Sequence, residues 1–270
     1  MDRRDAQERI SRRVEVDIAY VGKGKKTQRL DKILGHLGYG SRSDIKKMVK
    51  QGRVMLNGSV PKDSGIQADP YEDSITVDGK GIDYREFVYL MLNKPQDVIS
   101  ATEDSRERTV LDLIPAELRV FSPFPVGRLD KDTEGFLLLT NDGQLAHDLL
   151  SPRKHVPKTY EAHVLGEIGE REIALFREGV TLDDGYVTLP AELEVLGHER
   201  LEEGVMSRIR LTISEGKFHQ VKRMFMAAGS KVIYLKRISM GPLTLDDSLA
   251  LGSYRELTEA EVELLKTYKK

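Results

Sequence analysis

Two stretches of this chain are apolar at every position, Phe87-Val88-Tyr89-Leu90-Met91-Leu92 and Phe136-Leu137-Leu138-Leu139. Both read as buried strands, and both fall far short of the ~20 residues that a bilayer-spanning helix needs. A membrane protein is therefore not expected. Ile209-Arg210-Leu211-Thr212-Ile213 alternates with period two and reads as a further strand, while Gln220 to Ala228 reads as a helix. Strands outnumber helices and are not regularly interleaved with them, which predicts an α+β fold with a mixed, largely antiparallel sheet from about Glu86 onward. The length of 270 residues allows one large domain or two smaller ones, and 39% apolar residues suffice for a core. There is no Cys, so no disulfide framework, thiolate nucleophile or thiolate metal site is available, and the six His are not spaced as ligands. Met1-Asp2-Arg3-Arg4 leads into alternating charges without an apolar segment, so a secretory signal is not expected and a soluble, cytoplasmic protein is.

Charge is distributed unevenly. From Lys23 to Lys62 there are eleven Lys and Arg against two acids, a local balance of +9 on a chain whose formal net charge is −2. A compact cationic segment on an otherwise acidic chain suits a polyanion, of which RNA or DNA is the commonest; a merely solvated charged face is the alternative. Residues 1–27 are polar and end in Gly22-Lys23-Gly24-Lys25-Lys26, a basic extension too poor in apolar residues to order itself. Leu30, Ile33, Leu34 and Leu37 then recur at helical spacing up to Gly38 and Gly40. Ser41 or Ser43 caps a second helix through Ile45, Met48 and Val49, closed by Gly52. Val54-Met55-Leu56 and Ile75-Thr76-Val77 follow as strands joined by turns around Asn57-Gly58 and Asp78-Gly79. This αα-β unit covers residues 28–85, with 86–270 as the larger unit. In its second helix Lys46, Lys47 and Lys50 take the side opposite Ile45, Met48 and Val49, and Arg42 precedes them, giving an apolar back and a basic front.

The densest group of chemically capable residues is Gly127-Arg128-Leu129-Asp130-Lys131-Asp132-Thr133-Glu134-Gly135, just before the second apolar run. As a calcium loop it matches at Asp130, Asp132, Glu134 and Gly135 but lacks the closing bidentate Glu, Asn141 standing there instead. As a glycosidase pair, Asp130 and Asp132 are two apart and would lie on one side of an extended segment, with no room for a sugar between them. A charged turn before a buried strand is the plain alternative.

Recognition resolves both regions. Arg29-Leu30-Asp31-Lys32-Ile33-Leu34, Ser41-Arg42-Ser43-Asp44 and Gln51-Gly52-Arg53-Val54-Met55-Leu56-Asn57-Gly58 together resemble the alpha-L RNA-binding domain first described in a small-subunit ribosomal protein. The stretch from Gly127 to Gly143 resembles the central motif of RNA pseudouridine synthases, specifically ribosomal-RNA enzymes of the RsuA kind. Leu92-Asn93-Lys94-Pro95, the Ser151-Pro152-Arg153-Lys154-His155 to Lys158-Thr159-Tyr160 segment, and Glu215 to Met224 agree with it. One departure is Asp97, where the family usually has Gly, which puts the shape of that turn in question.

The resemblance implies that a uridine's N-glycosidic bond is broken, the uracil is rotated while held, and carbon 5 is joined to the ribose, with no metal and no organic cofactor. It implies Asp130 as the essential carboxylate, attacking the ribose or the base or forming a glycal; these routes stay open. A carboxylate in a water-poor pocket stays ionised only beside a cation, and the motif puts Lys222 there, where the wider superfamily has Arg. Tyr160 matches the active-site tyrosine, its ring stacking on uracil and its hydroxyl a base for the carbon 5 proton. Because the uridine must be flipped out or single-stranded, Arg128 would fill its space or hold its phosphate. Further RNA contacts are expected from Arg42, Lys46, Lys47, Lys50, Arg53, His155, Lys158, Lys217, His219 and Arg223. His219 is equally readable as a strand-to-helix cap. The Ser151–Tyr160 segment looks more like enzymes acting on small-subunit than on large-subunit RNA. Ribosomal RNA or an assembling subunit is the expected partner, and a monomer the expected state. A non-catalytic assembly factor is the reading from another class.

Overall fold

A computed structural model describes residues 27–202 and 204–268, so the expected basic extension lies, apart from Thr27, outside the described residues. The N-terminal unit runs β1 (Gln28–Arg29), α1 (Leu30–His36), α2 (Arg42–Lys50), β2 (Val54–Leu56), β3 (Gln67–Ala68), β4 (Ile75–Val77) and β5 (Lys80–Gly81). Ser41 starts α2: its hydroxyl accepts from the Asp44 N–H while the Asp44 carboxylate accepts from the Ser41 N–H, a capping box. Gly52, at φ 71°, allows the left-handed exit. Leu30, Ile33 and Leu34 of α1 bury against Ile45, Met48 and Val49 of α2 and against Val54, Ile75 and Val77 of the strands. Lys46, Lys47 and Lys50 consequently face solvent.

Asp78 and Gly79, at φ 51° and 78°, form the two-residue turn of the β4–β5 hairpin. Asn57-Gly58 behaves differently from expectation. Its turn brings Leu56 back only onto Ser59, and β2 reaches its antiparallel partner β4 after the chain has travelled through residues 59–74. The two-residue strands β1 and β3, which pair with each other, are too short to leave a sequence pattern.

The larger unit comprises β6 (Tyr89–Lys94), α3 (Ala116–Arg119), β7 (Phe124–Pro125), β8 (Glu134–Thr140), α4 (Gly143–Leu150), β9 (Lys158–Leu165), α5 (Glu170–Glu178), β10 (Glu192–Leu201), β11 (Gly204–Ile213), α6 (Gln220–Ala227), β12 (Lys231–Met240), β13 (Leu243–Thr244), β14 (Tyr254–Glu256) and α7 (Glu259–Thr267). Its sheet has the order β10-β11-β9-β12-β8-β6-β14, with β13 beside β12 and β7 beside β8. Every pairing is antiparallel except β8 with β12. The fold is α+β, as expected, with the mixed sheet mostly antiparallel.

The unbroken apolar runs follow from what covers this sheet. Leu90 and Leu92 of β6 and Leu137 and Leu139 of β8 enter a core with Phe176 of α5 and Val221, Met224 and Phe225 of α6. Their neighbours Met91, Phe136 and Leu138 enter a second core with Leu145, Ala146 and Leu149 of α4 and Leu265 of α7. Helices lie on both faces, so both sets of alternating side chains must be apolar. The strand at β6 begins at Tyr89, two residues into its apolar run, and extends through Asn93 and Lys94.

Gly135 makes the parallel β8–β12 contact possible. At φ 101° a side chain there would be strained, and its Cβ would collide with the Arg237 carbonyl. The start of β8 is thereby drawn close against β12, an interior strand of the sheet. The two units touch where the His36 ring packs edge-on against Phe121 and where Arg85 pairs with Glu256 at 2.8 Å. Among the described residues no helix is long and apolar enough to cross a membrane.

Candidate active site

The loop Gly127–Thr133 is held from beneath by Lys94, at the end of β6. That side chain is fully buried, and its Nζ donates to the carbonyls of Pro95 (2.9 Å), Asp130 (3.0 Å), Lys131 (3.3 Å) and Thr133 (2.9 Å). Burial pulls this amine down to about 8, opposed by the charges of Asp132 and Asp130. The Ser100 hydroxyl bonds both the N–H and the carbonyl of Leu129. Asp97 donates its N–H to the Lys131 carbonyl at 3.0 Å from a left-handed φ of 61°. The turn thus keeps a shape that glycine favours although Asp occupies it, which Asp tolerates better than most residues. A loop tied at this many points presents Asp130 in a fixed position.

The Asp130 carboxylate faces α6. Lys222 Nζ lies 3.0 Å from its Oδ2, and His219 Nε2 lies 3.4 Å from its Oδ1. Lys222 reaches a second carboxylate as well, Asp132 Oδ1 at 2.6 Å. The motif pairs Lys222 with Asp130 alone, whereas in the structure one ammonium serves both acids. Asp132 is the outer of the two, 69% exposed against 28% for Asp130. Burial is the largest influence on the Lys222 amine and pulls it down, but the hydrogen bonds and charges of Asp132 and Asp130 outweigh it and hold the amine above the ordinary lysine range. Burial likewise pushes the Asp132 carboxyl up, and Lys222 overcomes that to hold it low. Glu134 turns away to accept from the Tyr234 hydroxyl at 2.8 Å. Asp130, Asp132 and Glu134 therefore do not converge as the calcium-loop spacing would have required.

A cleft of about 370 Å³ opens beside this cluster, lined by Arg128, Asp130, His155, Lys158, Tyr160, Lys217, His219, Lys222, Leu235 and Arg237 among others. Tyr160, 8% exposed, sits on β9 directly opposite Arg237 of β12. Leu235 and the Tyr160 ring make an apolar floor beside the charged wall, in a volume suited to a small planar group.

The other expected RNA contacts divide. Arg42, Lys46, Lys47 and Lys50 are exposed on α2, and Arg128 and His155 are exposed at the cleft. Lys217 Nζ lies 4.4 Å over the Tyr186 ring. His219, at φ 47°, occupies the N-cap position of α6, but its side chain makes no capping hydrogen bond and meets Asp130 instead. Arg53 is bonded to Asp78 at 2.6 Å, and Arg223 is pinned by Asp183 at 2.5 Å and Asp184 at 2.8 Å. Lys158 points inward and donates to the Val156 carbonyl at 2.9 Å, its amine pulled down to about 8 by burial and then by the charge of Arg237.

Sequence reasoning gave no role to Lys94 and did not single out Arg237. Lys94 carried a signal in its Asn-Lys-Pro segment. Arg237 carried none, since an Arg among strand residues reads as solvent-facing, yet it is 1% exposed, its Nε bonded to the Phe136 carbonyl at 2.8 Å.

The RNA pseudouridylate synthase family profile matches residues 88–227, and the S4 domain profile matches residues 28–70. The chain is 56% identical to the uncharacterized RNA pseudouridine synthase YtzG of Bacillus subtilis (strain 168), over 88% of this chain and 98% of that protein. It is 40% identical to ribosomal small subunit pseudouridine synthase A of Yersinia pestis, covering 87% of this chain and 96% of that one. It is 39% identical to ribosomal large subunit pseudouridine synthase B of Bacillus subtilis (strain 168), covering 88% and 96%. A crystal structure of pseudouridylate synthase superposes with a TM-score of 0.61 at 38% identity, covering 88% of this chain and 99% of that one. The cleft with its paired carboxylates, the covered sheet and the basic N-terminal unit thus stand in a chain that belongs to the RNA pseudouridine synthase family and carries an N-terminal S4 RNA-binding domain.

Proposed function

We propose that this protein converts a uridine of small-subunit ribosomal RNA to pseudouridine, with residues 28–85 docking the RNA and 86–270 carrying the chemistry. The observation that carries this reading is the Asp130–Lys222 contact at 3.0 Å, set beside a buried Tyr160 in a cleft of nucleoside size. In the reaction the bond from ribose C1′ to N1 of uracil breaks, the freed base turns within the cleft, and C5 bonds to C1′; C5 loses its proton and N1 takes one up. Three routes use Asp130: attack on C1′, attack on the base, or removal of a ribose proton to form a glycal. All three use its carboxylate as nucleophile or base, and Lys222 stands on one of its oxygens while His219 stands on the other. Tyr160 lies under the base, holding it flat while it turns, and its hydroxyl is the acceptor for the C5 proton. Arg128, at the cleft mouth, takes the space or the phosphate of the extruded nucleotide.

The choice of the small subunit rests on the segment from Ser151 to Tyr160, since relatives named for either subunit are similar to this chain to nearly the same degree. The protein acts as a monomer in the cytoplasm, on free RNA or an assembling particle. Pseudouridine mapping of ribosomal RNA from cells with and without the gene tests the reading, together with tritium release from RNA carrying carbon-5-labelled uridine. One pseudouridine missing from the small-subunit RNA supports it. A missing site in large-subunit RNA transfers the activity to that subunit, and an unchanged map with inactive purified protein leaves an assembly factor.

A further inference from the structure

Phe218 is 76% exposed, more than any other large apolar side chain among the described residues. The fold holds it there. Lys217 donates its N–H to Gln220 Oε1 and accepts from the Gln220 N–H, closing a tight turn around Phe218. Gln220 is in turn bonded to the buried Glu215, which also accepts from the Tyr186 hydroxyl and the Leu189 N–H. His219 is locked at a left-handed φ of 47°. The backbone that carries the ring is thus fixed, and the ring stands in solvent on it.

What the ring touches is the site. It stacks on His219 with ring centres 3.7 Å apart and planes 20° from parallel, and His219 in turn meets the Asp130 carboxylate at 3.4 Å. His219 lines the cleft together with Arg128, Lys217 and Lys222, and Phe218 extends the stack from it into solvent. Cationic surroundings select a polyanion, and a flat aromatic face selects a base. Extruding a uridine also strips its neighbours of a stacking partner, which a protein ring can replace.

Resting on the functional reading above, we propose that the Phe218–His219 stack is the platform for the base adjacent to the extruded uridine. It makes the enzyme select RNA in which that neighbour is unpaired. The chain contains no Trp, so Phe218→Trp introduces a single reporter. The probe is a ribosomal-RNA fragment holding the uridine that the wild-type protein isomerises, with copies carrying an abasic nucleotide on its 5′ or 3′ side. Phe218→Leu should raise KM for the intact fragment about ten-fold while the single-turnover rate at saturating RNA stays within about two-fold. One of the abasic fragments should raise the wild-type KM similarly and add nothing further in Phe218→Leu. The indole emission of Phe218→Trp should be quenched by the intact fragment and spared by that same abasic one. A Phe218→Leu protein with wild-type KM, or quenching indifferent to both abasic substitutions, overturns the proposal and leaves the ring to a protein contact. A wild-type protein that makes no pseudouridine in any ribosomal RNA overturns the functional reading itself, and this one with it.

Discussion

Replacing Lys222 by Met keeps the stem and removes the ammonium that two carboxylates share. At 3.0 Å the attraction between Lys222 and Asp130 is roughly 5 kcal/mol at an effective dielectric of about 20, before desolvation is subtracted. The loss goes further than that pair. Asp130 and Asp132 place oxygens 3.0 and 2.6 Å from one nitrogen, so these oxygens lie within about 5.6 Å of each other, where two like charges repel by roughly 3 kcal/mol at the same dielectric. Solvent reduces both figures, the second especially, because Asp132 is mostly exposed. A net penalty of about 3 kcal/mol on the doubly ionised site remains, or roughly two orders of magnitude in rate. The assay is single-turnover tritium release between pH 5 and 9. Lys222→Met should be about 100-fold slow at neutral pH, because the charge that holds both carboxylates in place is gone. Adding Asp132→Asn to that variant removes the like charge and should restore about ten-fold of the loss. Lys222→Arg should keep most activity. A Met variant with the wild-type rate would refute the reasoning and make Lys222 an ordinary surface lysine.

Three further outcomes follow from the same geometry. Asp130→Asn should abolish tritium release while RNA binding persists, whereas Asp132→Asn should stay within about ten-fold of wild type because Lys222 then serves Asp130 alone; equal loss at both positions would return the loop to a structural role. Changing Arg42, Lys46, Lys47 and Lys50 to Gln should weaken RNA binding and flatten the slope of log affinity against log salt by up to ~0.9 per lost contact on duplex-like RNA, with little effect on the chemical step; an unchanged slope would make α2 a solubility device. Lys158, held near 8 in the folded protein against 10.5 for the free side chain, binds a proton more readily when unfolded, so stability should rise as pH climbs from about 8 to 10.5. Lys158→Met should accordingly raise the urea midpoint at pH 7, by an amount equivalent to roughly 3 kcal/mol, and blunt that rise. A less stable Met variant would show that the buried amine is compensated by its surroundings.

How much could be read before the fold was known depends on how far each feature reaches along the chain. The Ser41–Asp44 capping box, the exit at Gly52 and the Asp78-Gly79 hairpin are decided within a few residues, and the spacing of Ile45, Met48 and Val49 against Lys46, Lys47 and Lys50 sorts α2 into a buried and a basic face by helical geometry alone. The unbroken run Phe136–Leu139 announces a strand buried on both sides, and the ordered motifs around Asp130 announce the family. Asn57-Gly58 shows the limit, since the same local turn chemistry sends the chain onto Ser59 rather than directly into the next strand. Only the tertiary structure brought Lys222 across 90 residues to Asp132 as well as to Asp130, gathered four carbonyls around Lys94, and turned Lys158 and Arg237 inward where their charge alone predicts solvent. Those outcomes depend on which strands lie side by side and in what register, above all on the single parallel pairing of β8 with β12 that Gly135 permits. Register is set by the simultaneous filling of two cores from residues far apart in the chain, and no window of neighbouring residues contains that information.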